Sequence, residues 1–375
     1  MIRYFFGLLF IPASVVYGQD TTRLSLMFIG DIMQHDSQMA AAYDTLTKEY
    51  DYSSCFQYIK PYLDSADVTI GNLEVTLAGP PHKGYPQFSA PDELAATLKN
   101  AGVDILVTAN NHSVDRGREG LERTIMMLDS LHISHTGTFV DTVNRMNDYP
   151  LVIYQNGFVL AVLNYSYGTN GLAVERPNMV NLIDTAVIKK DLSTTKGLHP
   201  DAVIVFMHWG PEYQSLPTKF QKDLADFCFR HGAKLVVGSH PHVVQPMEWR
   251  QDTDQLVAYS LGNFVSGQRK RYTDGGVMLQ VELEKITQPD SSSVTHIQNS
   301  SYDLAWVYRT PGRDKKYFIL PATEFETLPL GTGANSEPSI LNLSLVDKRA
   351  FKLFLDDSHK LFKKYNLNVE ETKNE

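Results

Sequence analysis

Hydrophobic and polar positions fall into short blocks whose period changes in a repeating order along this chain. Residues 23–29 alternate and predict a strand that runs into Gly30-Asp31. Residues 67–70 form a second short strand, ending in Gly71-Asn72-Leu73-Glu74. Pro91-Asp92-Glu93 then opens a helix over 91–100, with Leu94 and Leu98 on one face. Residues 103–107 are continuously apolar, as in a buried strand, and lead to Asn110-Asn111-His112. A helix over 118–131 follows, with Leu121, Ile125 and Leu128 on one side. Gln155-Asn156-Gly157 is a hairpin signal in front of a strand at 158–164. The run 202–207 ends at His208, a helix at 220–230 closes at His231-Gly232, and the strand 234–237 ends in Gly238-Ser239-His240-Pro241-His242. Residues 256–260 lead into Gly262-Asn263.

Strand, loop, helix and strand thus repeat through 23–265, which predicts a layered α/β domain. Further strands are expected at 275–283 and 302–309. A Gly/Ser/Thr/Pro-rich stretch at 323–339 and an amphipathic helix at 350–365, with Phe351, Phe354, Leu361 and Phe362 on its apolar side, complete the pattern. The expected organisation is an address segment at 1–18, a main domain at 19–285, and a β-rich extension with terminal helix at 286–375 that completes the same fold.

The address segment changes where the chain is expected to work. Arg3, an apolar run from Tyr4 to Tyr17 interrupted by Pro12, and Val16 and Gly18 at the −3 and −1 sites predict a signal peptide cleaved after Gly18. The run is shorter than the ~20 residues of a membrane-spanning helix. The mature protein is therefore expected to be secreted, periplasmic or on the cell surface. Two cysteines, Cys55 and Cys228, allow at most one bridge and exclude a disulfide scaffold. At 43% hydrophobic residues the 375-residue chain has ample core, and a formal charge of −9 argues against nucleic acid as a partner.

The candidate chemistry gathers at the ends of the predicted strands, where ligands bind in such sheets. The clusters are Asp31 with His35, Asn72 with Glu74, Asn111 with His112 and Asp115, His208 with Glu212, and His240 with His242. Carboxylate, amide and imidazole donors of this kind suit Mn, Zn or Fe, as one or two divalent ions. His35 either joins Asp31 on one face or points to solvent. The other histidines, at 82, 132, 135, 199, 231, 296 and 359, read as surface or capping residues. The run Arg269-Lys270-Arg271 reads as a solvated loop or as a contact for a polyanion.

Taken in order, Gly30-Asp31-Ile32-Met33, Gly71-Asn72-Leu73-Glu74, Asn110-Asn111-His112, His208-Trp209-Gly210-Pro211-Glu212-Tyr213, Gly238-Ser239-His240-Pro241-His242 and Ser260-Leu261-Gly262-Asn263-Phe264 form a specific series. It resembles the bacterial poly-gamma-glutamate capsule-biosynthesis (CapA-type) family, a branch of the calcineurin-like metallophosphoesterase superfamily, over roughly 23–285. The resemblance implies a four-layer α/β-β/α sandwich and a dinuclear metal site. It places Asp31, Asn111, His208, His240 and His242 among the metal ligands and Glu74 at the bridging carboxylate position. His112 would be the acid aimed at the leaving oxygen and Asp115 its orienting partner. Asn72, Glu212 and Asn263 are expected to contact substrate. The chain departs from the superfamily in two places: Met33 stands where an Asp-x-His histidine belongs, and Gly71-Asn72 replaces Gly-Asp.

The resulting expectation is an exported, metal-dependent hydrolase or transferase acting on a phosphoester or a gamma-glutamyl bond of a cell-envelope polymer. Capsule-synthesis proteins of the membrane are its expected partners. The alternative is a non-catalytic accessory protein that binds the anionic polymer or a synthase.

Overall fold

Strands that are apolar on both faces must be covered on both, and this chain does so by packing two sheets against each other with helices outside. The structure is a computed structural model that describes residues 20–312, 315–325 and 343–372. The predicted signal peptide and most of the 323–339 stretch lie outside the described residues.

The first sheet places Tyr317–Pro321, Ser293–Arg309, Gly275–Thr287, Asp20–Ile32, Val68–Leu73, Ile105–Val107 and Ser134–Thr136 side by side. From Asp20–Ile32 to Ser134–Thr136 the neighbours are parallel, and on the other side they are antiparallel. The short strand Asn263–Val265 also pairs, in parallel, with the end of Asp20–Ile32. The second sheet runs Met247–Arg250, Gln255–Ala258, Leu235–Ser239, Ala202–His208, Phe158–Ser166 and Leu151–Gln155. Gln155 and Phe158 are paired across the predicted hairpin, whose Asn156 and Gly157 have φ of 48° and 78°.

Period-two alternation sorts the side chains into layers. Leu26, Phe28, Ile70 and Val107 of the first sheet meet Leu160, Val162, Ile204, Phe206 and Val237 of the second in one inter-sheet core. The intervening Met27, Ile29 and Leu106 face outward, onto Leu94, Leu98 and Leu128 of the helices Asp92–Asn100 and Gly117–Ser130. On the far side Val203, Val205 and Val236 pack on Leu224, Ala225 and Cys228 of the helix Lys219–Arg230 and on Ile188 and Leu192. The result is the four-layer α/β-β/α sandwich.

The segment after residue 285 enters this fold directly. Ser293–Arg309 is hydrogen-bonded along Gly275–Thr287, and Phe351, Phe354 and Phe362 of the helix Leu345–Tyr365 join the inter-sheet core. Sequence patterning missed the helix Thr185–Thr195, whose Asp184 accepts from the N–H groups of Ala186 and Val187. Lys189, Lys190 and two threonines blur its apolar stripe. Cys55 and Cys228 are both free and buried in different layers, so no bridge joins them. Among the described residues no helix is long and apolar enough to cross a membrane.

Candidate metal centre

The parallel strands of both sheets end at the same edge of the sandwich, and the polar residues that follow them converge there. Asp31 is in register with Asn72 on one side and Asn263 on the other, and His208 is in register with Ser239. A close backbone approach sets this up. A Cβ on Gly30 would lie 2.0 Å from the Gly262 carbonyl oxygen, which accepts the Asp31 N–H at 2.9 Å.

Glu74 stands at the centre and is fully buried. Its Oε1 lies 3.6 Å from His208 Nε2 and 3.7 Å from His242 Nε2, and it has no hydrogen-bond partner. His242 Nδ1 meets Asp31 Oδ2 at 3.1 Å and Asn263 Oδ1 at 3.2 Å. The His240 N–H reaches both Asp31 oxygens at 3.3 Å, while the His240 Nδ1 is buried without a partner. His240 and His242 hold φ of 97° and 57°, a left-handed backbone that other L residues rarely adopt. Two groups of three could each hold an ion: Glu74 with His240 and His242, and Asp31 with Glu74 and His208. Glu74 belongs to both.

The electrostatics fit a cation. Burial, and then the neighbouring Asp31, raise the Glu74 carboxyl well above its usual range. Burial holds His208 well below the usual imidazole range, with His240, His242 and His112 adding to the effect. Burial and His242 lower His240 to about 3. Unprotonated imidazoles around two crowded carboxylates, with Glu74 Oε1 and His240 Nδ1 unspent, are the donor set a divalent ion needs. Ligand atoms each about 2.1 Å from one ion lie about 3–4 Å apart, as Glu74 Oε1 does from the two Nε2 atoms. Zn, Mn and Fe all fit such donors.

The remaining predicted residues fall around this core. Asn111 Oδ1 lies 2.8 Å from His208 Nε2, the nitrogen that faces Glu74, which is where an expected ligand belongs. His112 and Asp115 form a buried pair, Nδ1 to Oδ2 at 2.7 Å, and Asp115 Oδ2 also accepts the Phe88 N–H at 2.8 Å. Phe88 packs its ring on His112 at 4.6 Å. Asn72, expected to touch substrate, is fully buried. Its Nδ2 lies 2.8 Å from Asp31 Oδ1 and 3.4 Å from Glu74 Oε2. Asn263 is buried as well, and its Nδ2 donates to the Thr273 carbonyl at 2.8 Å and to Gln268 Oε1 at 3.2 Å. Both amides thus position ligand groups from beneath. Glu212 is exposed on the loop after His208. Met33 is buried and thioether-bearing, and the donor groups form without it.

His35 does not share a helix with Asp31. It is the N-cap of Asp36–Ala42, and its Nδ1 accepts the Gly267 N–H at 3.1 Å. Burial lowers it to about 4, so it is neutral at physiological pH. The run 269–271 splits three ways. Arg269 lies over the Tyr317 ring at 5.3 Å, Lys270 Nζ over the Tyr213 ring at 3.8 Å, and Arg271 forks onto Asp357 at 2.9 and 3.0 Å.

Sequence reasoning missed Tyr167. It is 46% exposed, its ring centre is 4.5 Å from that of His240, and it stacks within 10° of the His208 plane at 6.2 Å. The only available signal was its place directly after the strand Phe158–Ser166, where the other clusters also sit.

The family described as "Bacterial capsule synthesis protein PGA_cap" matches residues 25–268. The "Capsule biosynthesis protein CapA" of Bacillus anthracis is 30% identical over 282 residues, which is 71% of this chain and 65% of that protein. The "PGA biosynthesis protein CapA" of Bacillus subtilis (strain 168) is 30% identical over 284 residues, 73% of this chain and 71% of that one. Among solved structures, Haemophilus influenzae NAD nucleotidase (NadN) superposes with a TM-score of 0.47 at 13% identity, covering 91% of this chain and 68% of that one.

Proposed function

This chain belongs to the bacterial capsule synthesis protein family PGA_cap, and from that premise we propose that it is an exported, metal-dependent hydrolase or transferase of capsule polymer biosynthesis. The bond it would act on is a phosphoester or a gamma-glutamyl amide of an anionic cell-envelope polymer. The observation that carries this reading is Glu74 shared between two donor groups, with the His112–Asp115 pair alongside. A hydrogen-bonded acid beside a cation-binding cluster is an arrangement for bond cleavage, and polymer binding alone does not call for it.

Asp31, Glu74, His208, His240 and His242 would hold the ion or ions. Bound there, the metal supplies Lewis acidity to an oxygen of the substrate. Asp115 fixes Nδ1 of His112 in hydrogen bonding, which leaves Nε2 to pass a proton to the leaving oxygen. Ser239 Oγ holds His208 by its other nitrogen, Nδ1, at 3.0 Å, as outer groups hold metal-binding imidazoles, and Asn111 Oδ1, beside Nε2, would join the ligands. Phe88 and Tyr167 flank the site, the first against His112 and the second against His240. The predicted leader 1–18 supports export.

A second reading, an accessory protein that binds polymer or a synthase partner in the membrane, draws on Met33, where the superfamily pattern has a ligand. Elemental analysis of residues 19–375, wild type against His240→Ala/His242→Ala, separates the two. The enzyme reading expects about one to two equivalents of a divalent transition metal, lost in the variant. No metal after metal-replete purification would overturn it and leave the accessory role.

A further inference from the structure

A cleft of about 320 Å³ opens between the loop after Asn263 and the helix Leu345–Tyr365. Its rim carries Arg271, Lys360 and Lys364, with Asp357 as the one acidic residue among those lining it. Phe354, Leu361 and Tyr365 form the apolar part of its lining. In a chain of formal charge −9 this is a local reversal of sign. Arg271 spends Nε and Nη2 on Asp357, which fixes the guanidinium and leaves Nη1 for a ligand. Lys360 and Lys364 make no ion pair with a carboxylate of the described residues.

The cleft shares its walls with the metal centre. Asn263, which touches His242, also donates to the carbonyl of Thr273, and the adjoining Tyr272 lines the cleft. On the other wall Tyr213 lies 6.1 Å from the His242 ring, and Ser215, two residues on, lines the cleft. Lys270 bridges the walls by sitting over the Tyr213 ring. Tyr213 and Tyr272 both hold positive φ, 63° and 76°, so both turns are fixed in unusual conformations beside the cleft.

We propose that this cleft is a second binding subsite, which holds a further segment of the same anionic polymer while another segment lies at the metal centre. It rests on the reading of an envelope polymer as ligand. The chemistry fits a polycarboxylate in which charged groups alternate with methylenes, as in gamma-linked glutamate. Carboxylates would meet Arg271, Lys360 and Lys364, and the methylenes would lie on Leu361 and Tyr365, which unlike the buried Phe354 reach the surface. The subsite orients the chain across the metal centre and makes long polymer a better ligand than a single residue.

The test is fluorescence anisotropy with a labelled gamma-linked glutamate oligomer and residues 19–375. Lys360→Glu/Lys364→Glu should weaken binding by about tenfold or more at low salt, with the difference shrinking at high salt. Melting curves check folding, and Lys360→Gln/Lys364→Gln carries the test if the reversal variant unfolds. The His240→Ala/His242→Ala protein should lose metal and bind the oligomer more weakly than wild type, and in that background Lys360→Glu/Lys364→Glu should weaken binding further. Absence of metal in the wild type would sink the hydrolase reading and leave this result standing. Affinity unchanged in both lysine variants, or no binding by the wild type, would overturn the subsite. Equally tight binding of single-stranded DNA of matched charge would overturn the polycarboxylate assignment.

Discussion

Glu74 holds a buried carboxylate oxygen between two imidazoles with nothing to pair it, which is a costly arrangement without a cation. Glu74→Gln should therefore melt higher than wild type when both are stripped with chelator, and lower when divalent metal is restored. Saturating metal stabilises only the form that binds it, by about 2.7 kcal/mol at one hundred times Kd. Differential scanning fluorimetry with and without metal reads both effects, and a variant that still responds to metal would exclude Glu74 as the shared ligand. Asp115→Asn tests the neighbouring pair. The amide can still accept the Phe88 N–H, so folding and metal content should be kept, while turnover on a responsive substrate falls about a hundredfold. Equal loss of metal would make Asp115 a structural residue of the cluster. At this scale the site was legible where chemistry is rare in residue type, as with His208, His240, His242 and Glu74 after apolar strands. Tyr167 was not, because tyrosine at a strand end is common and only the fold lays its ring on His240. The burial of Asn72 and Asn263 was hidden for the same reason: an amide reads alike whether it faces substrate or lies beneath a carboxylate.

Elements carry the site by meeting at one edge, and the contact between Gly30 and Gly262 is where that meeting is tightest. A methyl at position 30 would push Asn263–Val265 away from Asp20–Ile32, and with it the partner of His242. Gly30→Ala should lose about 3 kcal/mol or more in denaturant unfolding and bind less metal. Gly197→Ala, where an added Cβ meets nothing within 4 Å, should stay within about 0.5 kcal/mol and keep its metal. Full metal content in a destabilised Gly30→Ala protein would separate the strand contact from the site. The long strands and the helices Asp92–Asn100, Gly117–Ser130 and Lys219–Arg230 were legible because each keeps one period over its length. Ser134–Thr136, Tyr317–Pro321 and the helix Thr185–Thr195 were not. Ser134–Thr136 is too short to show a period, and both strands form where a sheet edge is there to pair with. The helix is anchored by its Asp184 cap and by two buried apolar residues in the outer layer, Ile188 and Leu192, more than by a continuous stripe.

For the whole molecule, residues 370–372 are tied back to the first sheet, and a single carboxylate makes that tie sensitive to pH. Glu370–Glu371 pairs with Ser301–Tyr302 in parallel, and Thr372 Oγ1 donates to Asp303 Oδ2 at 3.1 Å. Gln280 Nε2 reaches the same oxygen at 3.1 Å, while Oδ1 is buried without a partner. Burial raises the Asp303 carboxyl from 3.8 to about 6; the Thr372 hydrogen bond opposes this and the nearby Glu371 charge adds to it. The folded value lies above the unfolded one, so the protonated acid favours the fold. That contribution is fully present below pH 3.8 and is lost as pH rises through about 6. Asp303→Asn keeps a hydrogen-bond acceptor and removes the charge. Its stability relative to wild type should be near zero below pH 4 and rise to about 1–2 kcal/mol at pH 7. Urea unfolding of both proteins across that window measures the difference, and parallel curves would show that Asp303 titrates as it does in the unfolded chain. Because Asp303 lies in a different part of the fold from Glu74, the Asn variant should also bind metal as wild type does. A pH-dependent gain in stability with unchanged metal content would then separate the closure of the sheet from the chemistry at its edge.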